Sequence, residues 1–256
     1  MRPIPYLRIY DASVINYLKY EVIPVNFTEQ VVNEPLVFDS SLGGYITQSS
    51  MLPLPTSPGR GWALFDEAEV NGRTVIDTSA EQTSQVTVNG AATYTIDYPG
   101  GRILSPDTVP TSVSYSWYYV SLIEGWPAGD PPPLPVIAVD VDKTNKAGYQ
   151  LGGGTKDIVE GSVYVFATSE TEKKEITDVI YQALYNRTLS IRNWHEGSYL
   201  DFNGTYTGFQ PTTVSGLSSG AFTEVSANLR GPRMDWSEVN RHRSRVTFTL
   251  EVYKDD

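Results

Sequence analysis

Gly216-Leu-Ser218-Ser-Gly220 matches the Gly-x-Ser-x-Gly pattern of a serine nucleophile, and Asp235 and His242 follow in the order that a hydrolase acid and base would take. That chemistry needs a buried apolar strand before the serine and a helix after it, so that the hydroxyl stands on a sharp turn. Pro211-Thr-Thr-Val-Ser215 and Ala221-Phe-Thr-Glu224 supply neither, and the segment reads as a Ser/Gly-rich loop. Leu151-Gly-Gly-Gly154 invites a phosphate-loop reading. Thr155-Lys156 follows it in the reverse of the Gly-Lys-Ser/Thr order, with a strand and no helix N-terminus to receive a phosphate, so it reads as a flexible connection between strands.

Metal chemistry is equally poorly served. Asp140 and Asp142 are placed on one strand face with Asn145 after them, but Lys143 and Lys146 bring two positive charges into the same stretch, and the glycine turn and late carboxylate of a calcium loop are missing. His195 and His242 are the only histidines and there are no cysteines, which excludes a multi-histidine site, a thiolate site, a cysteine nucleophile and a disulfide framework. The expectation is a chain that is not an enzyme and has neither cofactor nor metal.

The most unusual feature is Arg230-Gly-Pro-Arg233-Met-Asp-Trp236-Ser-Glu-Val-Asn-Arg241-His-Arg243-Ser-Arg245, five arginines in a protein of net charge −11. If the last strand already runs through this segment, Arg241, Arg243 and Arg245 line one face, opposite Val246 and Phe248. A solvated face that protects an edge strand explains the stripe. So does a subunit or partner interface formed by these arginines and Trp236, since guanidinium pairs bidentately with carboxylates on a neighbouring copy. The overall acidity argues against wrapping nucleic acid, which is driven by cations displacing counterions from phosphate.

The composition says which elements must position these residues. At 256 residues, with 40% hydrophobic and 19% charged, the chain can bury one large core or two ordinary ones, and 17 Tyr, 17 Pro and 21 Gly favour strands and tight turns. No run is long and apolar enough to span a bilayer, and the expectation is a soluble protein made and kept inside a cell. Asp11 is placed as the cap of a short helix with Val14, Ile15, Leu18 and Val22 on one face, ended by Pro24. Residues 25–45 read as extended pieces that cover surface rather than forming core strands, and residues 51–58 as a proline loop. Asn71-Gly72 and Asn89-Gly90 signal two-residue hairpins, Thr93 to Tyr98 alternates, Pro99-Gly-Gly101 turns, and Ser112 to Val120 puts Val113, Tyr115, Trp117 and Tyr119 on one face.

Residues 25–124 thus form an antiparallel β domain, and 125–135, rich in proline, a stiff linker. Beyond it, Val136 to Val141 and Asp157 to Ala167 are strands. Ser169 and Glu172 form a capping box for a helix with Ile176, Val179, Ile180, Ala183 and Leu184 on one side, and Val246, Phe248, Leu250 and Val252 share one face of a closing strand. Residues 136–256 are β-β-α-β in outline, and residues 1–24 supply a helix that packs on them.

This order of elements resembles the tail-terminator proteins of tailed bacteriophages, through Leu151-Gly-Gly-Gly154, Ser162-Val-Tyr-Val-Phe-Ala167, the helix with Ile176, Ile180 and Leu184, and the final Arg-Val-Thr-Phe-Thr-Leu-Glu-Val strand. Tyr94-Thr-Ile-Asp-Tyr-Pro-Gly-Gly-Arg-Ile103 followed by Ser112 to Val120 is similar to a strand, turn, Gly-Arg, strand signature of phage virion and adaptor proteins. The resemblance implies an α+β, mostly β fold: a terminator-like sheet packed by two helices, with the antiparallel β domain inserted. It implies a virion protein of the tail and neck, assembled in the host cytoplasm as a homo-oligomeric, hexameric ring. That ring would meet the tail tube, the sheath and the neck or connector protein, with DNA passing through its lumen without specific binding and no membrane involved. A phage adaptor or baseplate component is an alternative, as is a carbohydrate-binding attachment module using Trp117 and Trp126.

Overall fold

Apolar and polar side chains alternate repeatedly along the chain, and a strand that obeys this alternation buries one face. The computed structural model is accordingly α+β and mostly β. It describes residues 6–47, 67–70, 73–76, 87–97, 102–125, 134–150, 153–193, 211–214, 217–229 and 242–254. The expected proline loop at 51–58, the turns at 71–72 and 99–101 and most of the linker lie outside them. The chain divides into two units, one of residues 1–22, 120–197 and 210–256, the other of residues 23–119 and 198–209.

Helix α1 (Tyr6–Tyr17) starts before Asp11, which therefore lies inside the helix and does not cap it. Val14, Leu18 and Val22 are buried at their expected spacing. A π turn, Leu18–Val22, follows, and the short helix α2 (Ile23–Asn26) opens the second unit. Pro24 does not end the helical path: it lies within α2, which runs on to Asn26.

The second unit holds β1 (Thr28–Asp39), β2 (Gly44–Thr47), β3 (Glu67–Val70), β4 (Arg73–Ile76), β5 (Thr87–Asn89), β6 (Thr95–Asp97), β7 (Arg102–Leu104) and β8 (Ser112–Tyr118). Six of these form an antiparallel sheet in the order β5-β8-β1-β2-β7-β6, and β3 and β4 pair separately. Far from covering surface, β1 is bonded on both sides. A register shift between Val31 and Glu34 lets it tolerate Asn33, whose φ is 54°. Asn89-Gly90 is no hairpin either, because β5 pairs with the distant β8. Gly90, at φ 90°, is nevertheless required: a Cβ there would lie 3.1 Å from the Thr111 nitrogen and the Val109 oxygen.

The first unit continues through β9 (Ser121–Glu124), β10 (Val136–Gln150), β11 (Gly153–Phe166), α3 (Glu170–Leu184), β12 (Thr188–Ser190), β13 (Arg192–Asn193), β14 (Thr212–Thr213), β15 (Leu217–Asn228) and β16 (Arg243–Lys254). Its main sheet has the order β12-β15-β16-β11-β10-β9. The two strands expected after the linker belong to one long hairpin, in register from Val136↔Phe166 to Gln150↔Gly153, so Gly153 and Gly154 are strand residues. Strand β9, whose residues the sequence places in the inserted domain without assigning them a strand, pairs in parallel with the start of β10.

Both helices pack on one face of this sheet. The Tyr10 hydroxyl of α1 donates to Asp157 Oδ2 at 2.5 Å, and Thr177 of α3 hydrogen-bonds Ser244; Asp157↔Val252 and Val165↔Ser244 place these partners on the same side. Val246, Phe248, Leu250 and Val252 are at most 2% exposed there. Each such side chain contributes about 1.5–3 kcal/mol of burial. The Tyr17 hydroxyl donates to the Ala183 carbonyl at 2.8 Å, joining α1 to α3. Ser169 caps α3 by accepting from the Glu172 N–H at 3.2 Å, while Glu172 reaches back to the Thr168 N–H at 2.7 Å.

Candidate functional site

Three carboxylates from three separate segments meet at one edge of the first unit's sheet. Asp11 comes from the second turn of α1, Glu124 ends β9, and Asp140 is the first residue of β10 beyond the stretch that β9 covers. With Arg8 and the apolar Val139 and Val141 they line a pocket of about 340 Å³. Burial pushes the Asp11 carboxyl up to about 7, helped by a hydrogen bond to Glu124 and by the charges of Glu124 and Asp140. One Asp11 oxygen, Oδ1, is buried without a hydrogen-bond partner. Asp140 is also raised, first by burial and then by its neighbour Asp142, with Arg245 opposing.

A second cluster adjoins it. Asp142 is the extra residue of a bulge between Val141 and Lys143, yet it stays on the face of Asp140 as spacing predicts, accepting from Ser162 Oγ at 3.4 Å. Arg245 donates to Ser162 Oγ from Nε at 3.0 Å and Nη2 at 2.7 Å, approaches Asp142 at 3.8 Å, and lies 5.4 Å from the Tyr164 ring centroid. Among the described residues no group of three or more His, Cys, Asp or Glu side chains is arranged to hold a metal ion.

The expected arginine stripe is only partly described. Arg230, Arg233, Trp236 and Arg241 lie outside the described residues, as do Asp235 and His195. Arg243 and Arg245 do share the face opposite Val246 and Phe248, but Arg243 is buried rather than solvent-facing, and Arg245 is engaged within its own chain. Their strand is not an edge: β16 lies between β15 and β11, so protection of an edge cannot explain them. His242 sits with Nδ1 3.7 Å from a Glu170 carboxylate oxygen.

The segment read as a Ser/Gly-rich loop is strand β15. Ser218 is its second residue, and the strand runs on to Asn228 with no helix entering there. Gly220 has a packing cause, since a Cβ would lie 2.7 Å from Leu250 Cδ1 on the neighbouring strand. Glu124 was missed altogether, and Asp11 was assigned to a helix end. No local pattern could have joined them to Asp140, because only the parallel pairing of β9 with β10 and the docking of α1 bring the three together.

No protein-family model matches this sequence, and a comparison with curated proteins finds no match.

Proposed function

We propose that this chain is a virion structural protein of a tailed bacteriophage, forming a ring at the head-proximal end of the tail that terminates the tail tube and joins it to the neck or connector. The observation that supports the reading best is the return of α1 onto the sheet that β16 completes, with α3 beside it on the same face. The terminator resemblance rests on a simpler β-β-α-β outline, to which β10, β11, α3 and β16 correspond, while β9 and β12 to β15 are additions to it. In this role the protein is not an enzyme and needs no cofactor; its partners are further copies of itself, the tail tube and sheath, and the neck protein. The net charge of −11 suits a lumen wall along which DNA slides without sticking.

Ring closure requires a heterologous interface, and each contact should bury more than about 1,000 Å². Light scattering on the purified chain, followed by electron microscopy, tests the proposal: the expected result is a closed ring of about six copies that caps tail tubes. A strict monomer at high concentration that fails to associate with tubes overturns it.

A second reading, an attachment module that binds carbohydrate, draws on the second unit. There Phe38 is 60% exposed and its ring lies 5.2 Å from that of Tyr45, an aromatic surface of the kind that stacks on sugars. Glycan binding by a stable monomer favours this reading over the ring.

A further inference from the structure

We propose that the docking of helix α1 on its sheet is controlled by a proton held among Asp11, Glu124 and Asp140, so that the helix grips more tightly in acid than in base. This inference does not depend on the assembly role above.

The geometry separates two sets of contacts on α1. Tyr10, Ser13 and Tyr17 fasten it inward, to Asp157, to the Arg192 backbone and to the Ala183 carbonyl. Asp11, next to Tyr10, lines the edge pocket with Glu124 and Asp140. Two carboxyl groups can share a hydrogen bond only while one of them carries a proton; without it, their charges repel across a partly dry gap. The Asp11 to Glu124 contact is therefore attractive in one protonation state and repulsive in the other.

The surrounding charges do not cancel this. On α1, Arg8 lines the same pocket; on β9, Glu124 is the hydrogen-bonding partner; on β10, Asp140 adds like charge and is itself raised by Asp142. On β16, Arg245 offsets Asp140. Neither arginine is among the influences on Asp11, which burial and the carboxylates hold at about 7.

In the unfolded or undocked helix Asp11 ionises near its ordinary 3.8, and when docked near 7. Between those values only the docked form holds the proton, so the added grip is complete in acid and is lost as pH rises through about 7.

Amide hydrogen exchange of residues 6–17, corrected for the intrinsic pH dependence, tests the proposal. Opening of α1 is expected to become about tenfold or more easier between roughly pH 5.5 and pH 8, and the response to shrink to under about twofold in Asp11→Asn, whose amide donates to Glu124 without needing a proton. A wild-type pH response retained by Asp11→Asn overturns the proposal. Carboxyl carbon shifts of Asp11 in the unmodified protein decide the matter even if the variant does not fold: a midpoint near 7 supports it, and one in the ordinary carboxylate range overturns it.

Discussion

The two main sheets have six strands each, yet they use their apolar residues differently. In the first unit, β10, β11, β15 and β16 are 12 to 15 residues long, and two helices cover one face. Among its described residues the exposed large apolar side chains, Tyr185, Leu229 and Tyr253, are all less than half exposed. In the second unit, β1 has 12 residues and β8 has seven. That unit leaves Val32, Phe38 and Val109 at 60 to 72% exposed. Among the described residues, then, the strongly exposed apolar side chains belong to the second unit, and burying them would be favourable.

Four substitutions would break or sharpen that contrast. Leu250→Ala should produce the largest effect, a loss of about 2–5 kcal/mol carried by the first unit and read by calorimetry as a lowered transition. Ile103→Ala, at a fully buried site of the second unit's sheet, should cost about 2 kcal/mol, the low end of the same range, because the exposed apolar residues around that sheet leave its core thinner. Equal costs at the two sites would erase the distinction. Gly220→Ala forces a methyl group against Leu250 and should destabilise the first unit by about 1–3 kcal/mol in denaturant titrations. Smallest is Phe38→Ser, expected to change stability by about 0.5 kcal/mol or less while weakening any association that uses the second unit's surface; sedimentation velocity on both proteins separates the two effects.

Much of the first unit was legible in the sequence, for reasons visible in particular residues. Ser169 and Glu172 sit next to the turn they cap, and Ile176, Ile180 and Leu184 need only helical periodicity to be placed on a buried face. Val246 to Val252 likewise announce their strand by alternation alone. Strand β15 was hidden because Ser218, Ser219 and Gly220 carry no such signal; the glycine answers to a leucine on another strand. In β1 the bulge around Asn33 interrupts the period of two, so a central strand reads as scattered extended pieces. The carboxylate pocket was the least legible part, since a helix, a strand end and a strand middle each contribute one ordinary acidic residue. Asp11 in particular satisfies the local rule for a helix cap and belongs to a different arrangement.

The position of β16 in the sheet has a consequence for folding. It follows every other strand in chain order, yet it is wedged between β15 and β11, touching one with residues paired from Leu217 to Asn228 and the other from Thr155 to Phe166. Without β16, the β9-β10-β11 and β12-β15 portions have no shared neighbour and α3 lacks the strand beneath Thr177. Closing the sheet therefore depends on non-local pairing of the last of these strands on both of its sides, a topology that favours slow folding.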